Sequence, residues 1–419
     1  MPLPLTYGTG GSVVVTQCQA CEAGALEPVL FLGYLPPVNT MPLIGALPRE
    51  QPAYPAQLLR CRRCELVQLG LIVDPQILFP PEYPYTSGTT RILRENFAEL
   101  YHECSSLIGL HPDDLIVDIG SNDGTLLSNF RAHRVQGIEP TEVGGLANAR
   151  GIPTIKTFFN REVAAQVRES QGPARIISAA NVFAHIENVQ GLMESLLLLL
   201  DGNGVFISDS HYLVSLIETL QYDTVYHEHL RYYSLTSLRN LLRQHGLEVF
   251  HARRIPTHGG SIRVYAARAG QRERLASVSA LLEEETRLFA DPNYFTDFRR
   301  KVALSKSALH SLLLGCQQRG ERVYAIGAPS RATTLVNYVG LDDGLLDCVL
   351  EITGSLKIGK TMPGTLIPVE DEARLFTDPP AHALLLSWHL TDELSAKLWS
   401  RGYQGDFIVP LPEPRFLRQ

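Results

Sequence analysis

Four of the 7 cysteines form two Cys-x-x-Cys pairs, Cys18/Cys21 and Cys61/Cys64. Each such turn presents two thiolates to one side of an ion, and two turns complete the four-sulfur tetrahedron that Zn²⁺ favours. Four thiolates leave no open coordination position, so this pattern predicts a structural zinc and not a catalytic one. An odd cysteine count in a long chain argues against a disulfide framework. Cys104, Cys316 and Cys348 read as core or surface thiols.

A second chemical motif is Val117-Asp-Ile-Gly-Ser-Asn-Asp-Gly-Thr125, a strand running into a Gly-rich turn that should open a helix. It supplies Asp118, Gly120, Asn122, Asp123 and Gly124. The glycines let a ligand approach the backbone closely. Glu139 ends the next strand, 21 residues after Asp118, where a carboxylate can accept hydrogen bonds from both hydroxyls of a ribose. This spacing suits a dinucleotide enzyme and a nucleoside-binding methyltransferase alike. Two features speak against NAD(P). The loop lacks the G-x-G-x-x-G fingerprint, because Gly124 lies four residues after Gly120. Asp118 and Asp123 would repel a pyrophosphate but suit the cationic end of S-adenosylmethionine (SAM).

The third cluster is Tyr226-His-Glu-His229. Four polar side chains in succession cannot all face one core, so some must face a cavity or partner. His185 follows another strand, beyond Asn181, at the same sheet edge as Asp118 and Glu139. Histidine exchanges a proton near neutral pH, and a neighbouring Glu228 could fix its tautomer. His227-x-His229 with Glu228 is also a metal-ligand pattern, but it lacks a third ligand at helical spacing. The turn at His258-Gly-Gly-Ser261 is a further candidate at that edge. A last motif, Tyr324-Ala-Ile-Gly-Ala-Pro-Ser-Arg-Ala332, reads as strand, small-residue turn and helix. Ser330 and Arg331 at that helix start, with Lys357 and Lys360 in a later loop, could hold a phosphate or diphosphate.

The elements that must position these residues alternate. Strand signals at 115–118, 135–139, 176–178 and 204–208 are spaced by helical segments, which implies a parallel doubly wound sheet. A helix is expected over 90–109, a closing hairpin at 248–254 and 261–267, and one helical stretch over 271–318. A second α/β unit opens at 322–326, and strands at 57–60 and 66–69 flank the second cysteine pair. The chain has 419 residues, enough for two or three domains at about 150 each. Hydrophobic residues make up 45% and charged residues 19%, which is the composition of a core-forming globular chain. A net charge of −7 gives no footprint for nucleic acid. The longest aliphatic run, Leu196 to Leu200, is too short to span a bilayer, and the N-terminus lacks signal-peptide features. The expectation is a cytoplasmic protein, with nothing that forces it beyond a monomer.

Asp-x-Gly-x-x-x-Gly resembles the first motif of class I SAM-dependent methyltransferases. Together the motifs resemble the sugar C-methyltransferase family, which acts on dTDP-linked 4-keto deoxysugars. The resemblance covers nearly the whole chain and keeps its order. It begins with the cysteine pairs and the connector Tyr83-Pro-Tyr85-Thr-Ser87. Asp118 to Leu127, Gly137-Ile-Glu-Pro140, Asn181 to His185 and Tyr226 to His229 follow. His258 to Tyr265, Gly327 to Tyr338 and Pro363-Gly-Thr-Leu-Ile-Pro368 complete it.

The resemblance implies an α/β protein of three parts. These are a zinc-binding domain (1–80), a central Rossmann-like SAM domain (81–270) and a second Rossmann-like domain (271–419) that helps hold the nucleotide sugar. It implies that His229 is the base, with Tyr226, Glu228, His185 and Tyr83 or Tyr85 as neighbours. The activity implied is methylation of the carbon beside a ketone through an enolate stabilised by Tyr226, His185 or His227, in deoxysugar and antibiotic biosynthesis. The chain departs from the family pattern in the last domain. Many members carry Lys-Gly-Asn where Ser330-Arg-Ala332 stands, an Asp-Arg pair near Glu351-Ile352, and Gln at Ile358. Two other readings remain open: a methyltransferase of the same build acting on another acceptor, and a nucleotide-sugar or NAD-binding protein without methyl transfer.

Overall fold

The computed structural model describes residues 11–47, 50–78, 88 and 90–419. Near the N-terminus, strand Leu26–Leu35 pairs antiparallel with Tyr54–Cys61, which pairs with Val67–Leu69. The fourth strand of this sheet, Arg231–Tyr232, comes from far along the chain. The two cysteine turns match each other. Glu22 and Glu65, each directly after the second cysteine of its pair, take positive φ values of 60° and 65°. Strand Leu26–Leu35 escaped the sequence reading. Register shifts between Pro28 and Leu30 and between Phe31 and Tyr34 reset its inside–outside alternation, so no period of two runs through it.

The central sheet has seven strands. Leu115–Ile119 has Arg134–Ile138 and Thr154–Ile155 on one side, and Ala174–Ala180 and Leu200–His211 on the other, all parallel. Ser261–Arg268 runs antiparallel to Leu200–His211 and pairs with Leu247–Ile255. The chain leaves Leu115–Ile119 toward one side and later returns to the other. That makes the C-terminal ends of Leu115–Ile119 and Ala174–Ala180 the point where such sheets bind ligands. Helix Arg91–Ile108 buries Leu93, Phe97, Leu100 and Cys104 against the sheet, at the three- and four-residue spacing of one helical face, and Gly109 ends it at φ 70°.

Two expectations need correction. The Gly-rich turn after Ile119 opens no α-helix, only a 3₁₀ turn at Leu127–Phe130. Ser128 Oγ and Asn129 Nδ2 both donate to the Thr125 carbonyl, and such side-chain bonds compete with the helical pattern. The stretch 271–318 is two helices, Ala276–Ala290 and Tyr294–Gln318, broken at Pro292, which disfavours a helical conformation at the residue before it.

The last domain is a six-stranded sheet in the order Val369–Asp371, Cys348–Glu351, Val323–Ile326, His382–Leu385, Asp406–Val409 and Arg415–Leu417. Only the last strand is antiparallel. Helix Ser330–Val339 follows its first strand through a turn at Gly327, whose φ is 81°. The zinc domain is wedged between the other two. Leu30, Leu58 and Leu69 share one apolar core with Leu216, Tyr232, Leu335 and Val336, while Cys61 and Leu66 pack in a second core with the central sheet. Among the described residues no helix is long and apolar enough to cross a membrane.

Candidate active site

The central sheet brings Asp118, Glu139 and Asn181 to one edge. Glu139 accepts from the backbone N–H of Asn122 at 3.0 Å and from the N–H and hydroxyl of Thr141 at 2.9 and 2.7 Å. Asn122 holds φ 50°, and a Cβ on Gly120 would lie 2.8 Å from Val182, so the loop is shaped tightly around this edge. Burial pushes the Asp118 carboxyl up to about 7, against the Ser178 hydroxyl bond at 2.6 Å; Glu139 and Asp209 push in the same direction as burial. Arg263 binds both carboxylate oxygens of Asp209 at 2.9 and 3.0 Å. Asp123, expected to face a cation, instead pairs with Arg150 at 3.0 Å and with Thr125 at 2.6 Å, so it holds the loop. Among the described residues, the buried Oδ1 of Asn181 has no hydrogen-bond partner.

Beside this edge lie the histidines. His229 is buried, and its Nδ1 stands 2.8 Å from the Thr224 carbonyl. A carbonyl only accepts, so Nδ1 carries the hydrogen and Nε2 keeps a free lone pair. The ring of Tyr226 lies 4.1 Å from that of His229, with His211 at 4.8 Å and His185 at 4.9 Å. His258 is 5.5 Å from His211. Burial holds His185 and His258 at about 4 and pushes His211 and His229 well below the ordinary histidine value, so all four are neutral near pH 7.

The expected orienting role of Glu228 goes to Thr224. Glu228 accepts instead from Asn39 of the zinc domain at 2.6 Å. His227, expected as an enolate donor, packs edge-on against Tyr54 at 5.8 Å. Tyr83 and Tyr85 lie outside the described residues. His211 was missed because its strand was read as ending at Ser208; three more residues put it on the same edge.

Arg331 is not a free anion ligand. Its Nε and Nη2 bind Asp223 at 2.8 and 2.9 Å, and Nη2 also reaches Gln221 at 3.3 Å. Nη1 lies 3.3 Å from the His258 carbonyl and 3.1 Å from His389 Nδ1. Each of its five N–H groups therefore has an acceptor inside the chain, and the guanidinium lies over Trp388. Ser330 begins the helix behind that turn. Lys357 donates to the Ala328 carbonyl at 2.6 Å, and Lys360 is bridged through its backbone to Leu43 of the zinc domain.

The chain matches a zinc binding domain family over residues 18–79, a methyltransferase domain family over 90–252 and the C-methyltransferase C-terminal domain family over 256–412. Over 417 residues it is 33% identical to C-methyltransferase NovU of Streptomyces niveus, covering 96% of this chain and 97% of that one. The chain belongs to the C-methyltransferase family. Solved structures similar to this methyltransferase include magnesium protoporphyrin IX methyltransferase of Synechocystis (17% identity, 42% of this chain and 79% of that one, TM-score 0.32). Another is the plantazolicin methyltransferase BpumL (16% identity, 43% of this chain and 86% of that one, TM-score 0.34).

The enzyme uses SAM and a structural zinc, and its residues fit both. The sulfurs of Cys18 and Cys64 lie 3.5 Å apart and those of Cys21 and Cys61 3.6 Å apart, near the edge of about 3.8 Å that follows from a tetrahedron with 2.3 Å Zn–S bonds. All four are free thiols. For SAM, Glu139 would hold the ribose, and Asp118 with the Asn181 Oδ1 would face the ammonium and sulfonium charge. Cys316, Glu321 and His382 form another cluster in the last domain, but Arg319 already binds Glu321 there at 2.7 Å. Glu139→Ala should weaken SAM binding by about tenfold or more, because charge-assisted hydrogen bonds contribute roughly 1.5–3 kcal/mol. Unchanged affinity by calorimetry would reject the ribose assignment.

The buried histidines also make stability depend on pH. His185, His227 and His258 titrate at about 4 in the folded chain. In the unfolded chain they titrate near 6.5, so the unfolded state binds more protons in between. Their contribution is complete above about pH 6.5 and is lost as the pH falls toward about 4, at roughly 2 kcal/mol per group by about pH 5. Asp118, raised to about 7, and Glu285, also pushed up by burial, work in the opposite direction, but they stand against these three and the likewise depressed His211, His229 and His389. The melting temperature should therefore fall clearly between about pH 7 and about pH 5. A flat profile over that range would contradict neutral burial.

Proposed function

We propose that this methyltransferase acts on the carbon beside the ketone of a nucleotide-linked 4-keto deoxysugar, through an enolate. The observation that carries the reading is His229. Its Nδ1 hydrogen is held by the Thr224 carbonyl, so Nε2 is aimed and unprotonated, as a base for a carbon acid requires. Depressed basicity is the counterpart of burial here, and close positioning of base and C–H offsets it. Tyr226 and His185 stand around the ring as the resemblance implies. Desolvation of the pocket strengthens any hydrogen bond to a developing oxyanion. When bound, SAM supplies the electrophilic methyl group. Asp118, Glu139 and Asn181 hold it, and the zinc domain keeps the Tyr226–Leu230 segment in place.

In this reading the dTDP moiety lies against the last domain. Because Arg331 is bound internally, the diphosphate falls to the helix start at Ser330 and to Lys360. We also take from the resemblance a monomeric cytoplasmic enzyme in deoxysugar biosynthesis for a secondary metabolite such as an antibiotic. The test is mass spectrometry of the purified protein with SAM and a freshly generated dTDP-4-keto-2,6-dideoxyhexose. A gain of one methyl group on carbon is expected. SAM binding without methylation would move the search to other carbon acids.

A further inference from the structure

We propose that His211 donates the hydrogen bond that holds the acceptor's ketone oxygen while His229 removes the neighbouring proton; this rests on the enolate reading above. His211 is the last residue of strand Leu200–His211, and its backbone is paired with Ser261 of the antiparallel neighbour. A group at a strand end is held more rigidly than one in a turn, and a preorganised donor needs no rearrangement when charge develops. The ring stands 4.8 Å from that of His229, on the same sheet edge as Asp209 and Asn181. It is half-buried, and its nitrogens make no hydrogen bond within the described residues. Part of the ring surface stays open beside the base, so an external acceptor can reach its N–H.

The surroundings fix what kind of donor it is. His258 lies 5.5 Å away, and Arg331 stands behind that turn, 3.3 Å from the His258 carbonyl. Burial, His229, His258, Arg331 and His185 all disfavour a proton on the ring, and among the described residues no carboxylate bonds to it. His211 is therefore a neutral N–H donor, the form that polarises a carbonyl without protonating it. That distinction matters for the chemistry. The C–H bond breaks, its proton goes to His229 Nε2, its electron pair forms the new C=C bond, and the carbonyl π pair moves onto oxygen. His211 keeps its own proton. An imidazolium in its place would pass a proton to that oxygen and leave a neutral enol, a weaker carbon nucleophile than the enolate. Of the other histidines named for this role, His227 packs against Tyr54, and His185 sits in the turn after Ala180.

The experiment isolates the proton step from methyl transfer. The full-length enzyme, without SAM, is incubated in D₂O with dTDP-4-keto-2,6-dideoxyhexose, and deuterium uptake beside the ketone is followed by NMR. His211→Ala should slow uptake by about 10²-fold, with SAM affinity unchanged. His211→Gln, which retains an N–H donor, should recover at least about tenfold of that loss. Uptake at the wild-type rate in His211→Ala overturns the proposal. So does a His211→Gln variant that melts like wild type and recovers nothing. If the wild-type enzyme itself exchanges no hydrogen, the enolate reading fails and the role of His211 with it. If His229→Asn alone leaves exchange intact, the base assignment falls.

Discussion

His229→Asn is expected to lower turnover by roughly 10²–10⁴-fold, the usual contribution of a positioned general base. SAM affinity should stay near that of the wild type, because Asp118, Glu139 and Asn181 lie on other strands and loops. The asymmetry follows from one hydrogen bond. With Nδ1 tied to the Thr224 carbonyl, His229 keeps the Nε2 lone pair free to take a proton. Asparagine presents either an amide N–H or a weakly basic carbonyl oxygen. The measurement is kcat against SAM dissociation constant in the same preparation. Equal losses in both would mean that His229 shapes the cofactor site, and near-wild-type turnover would remove it as the base.

Loss of the zinc should have an effect of similar size by another route. Apparent binding energies of structural zinc are on the order of 10 kcal/mol, and in a small unit that is folding energy. Here the unit supports more than itself. Leu69 donates its backbone N–H to the Leu230 carbonyl at 3.0 Å, and Asn39 donates to Glu228 at 2.6 Å. Gln19 accepts from Arg231 at 2.6 Å, and Asn240 reaches the Cys64 carbonyl at 3.2 Å. Cys61→Ser or prolonged chelation should therefore lower the melting temperature and abolish methyl transfer together. SAM binding should decline less than turnover. A Cys61→Ser enzyme that melts and turns over like wild type would contradict this.

What could be read in advance was local in sequence. The Asp118 turn and Glu139 stand on adjacent strands of a repeating strand–helix pattern, so spacing alone placed them together. The paired cysteines announced themselves in the same way. What escaped depends on partners far along the chain. Arg331 has the chemistry of a phosphate ligand, and nothing nearby in sequence shows that Asp223, 108 residues earlier, already claims it. Glu228 adjoins His229 in sequence, yet Asn39 takes the carboxylate and a backbone carbonyl orients the ring. Backbone acceptors carry no sequence signal at all. His211 was lost by a three-residue error at a strand end, the least reliable part of any such reading.

The strand Arg231–Tyr232 gives the molecule one more property. It completes the N-terminal sheet from the opposite end of the active-site loop, and the fully buried Arg231 bonds both Gln19 and the carbonyl of Ile186. As a unit of inheritance, the N-terminal module is therefore discontinuous. Its sheet is specified partly by residues near 231, some 150 positions beyond its apparent boundary. Exchange of modules between relatives has to carry the Tyr226–Tyr233 segment along with residues 18–79, or each half inherits an edge cut for a partner it no longer has.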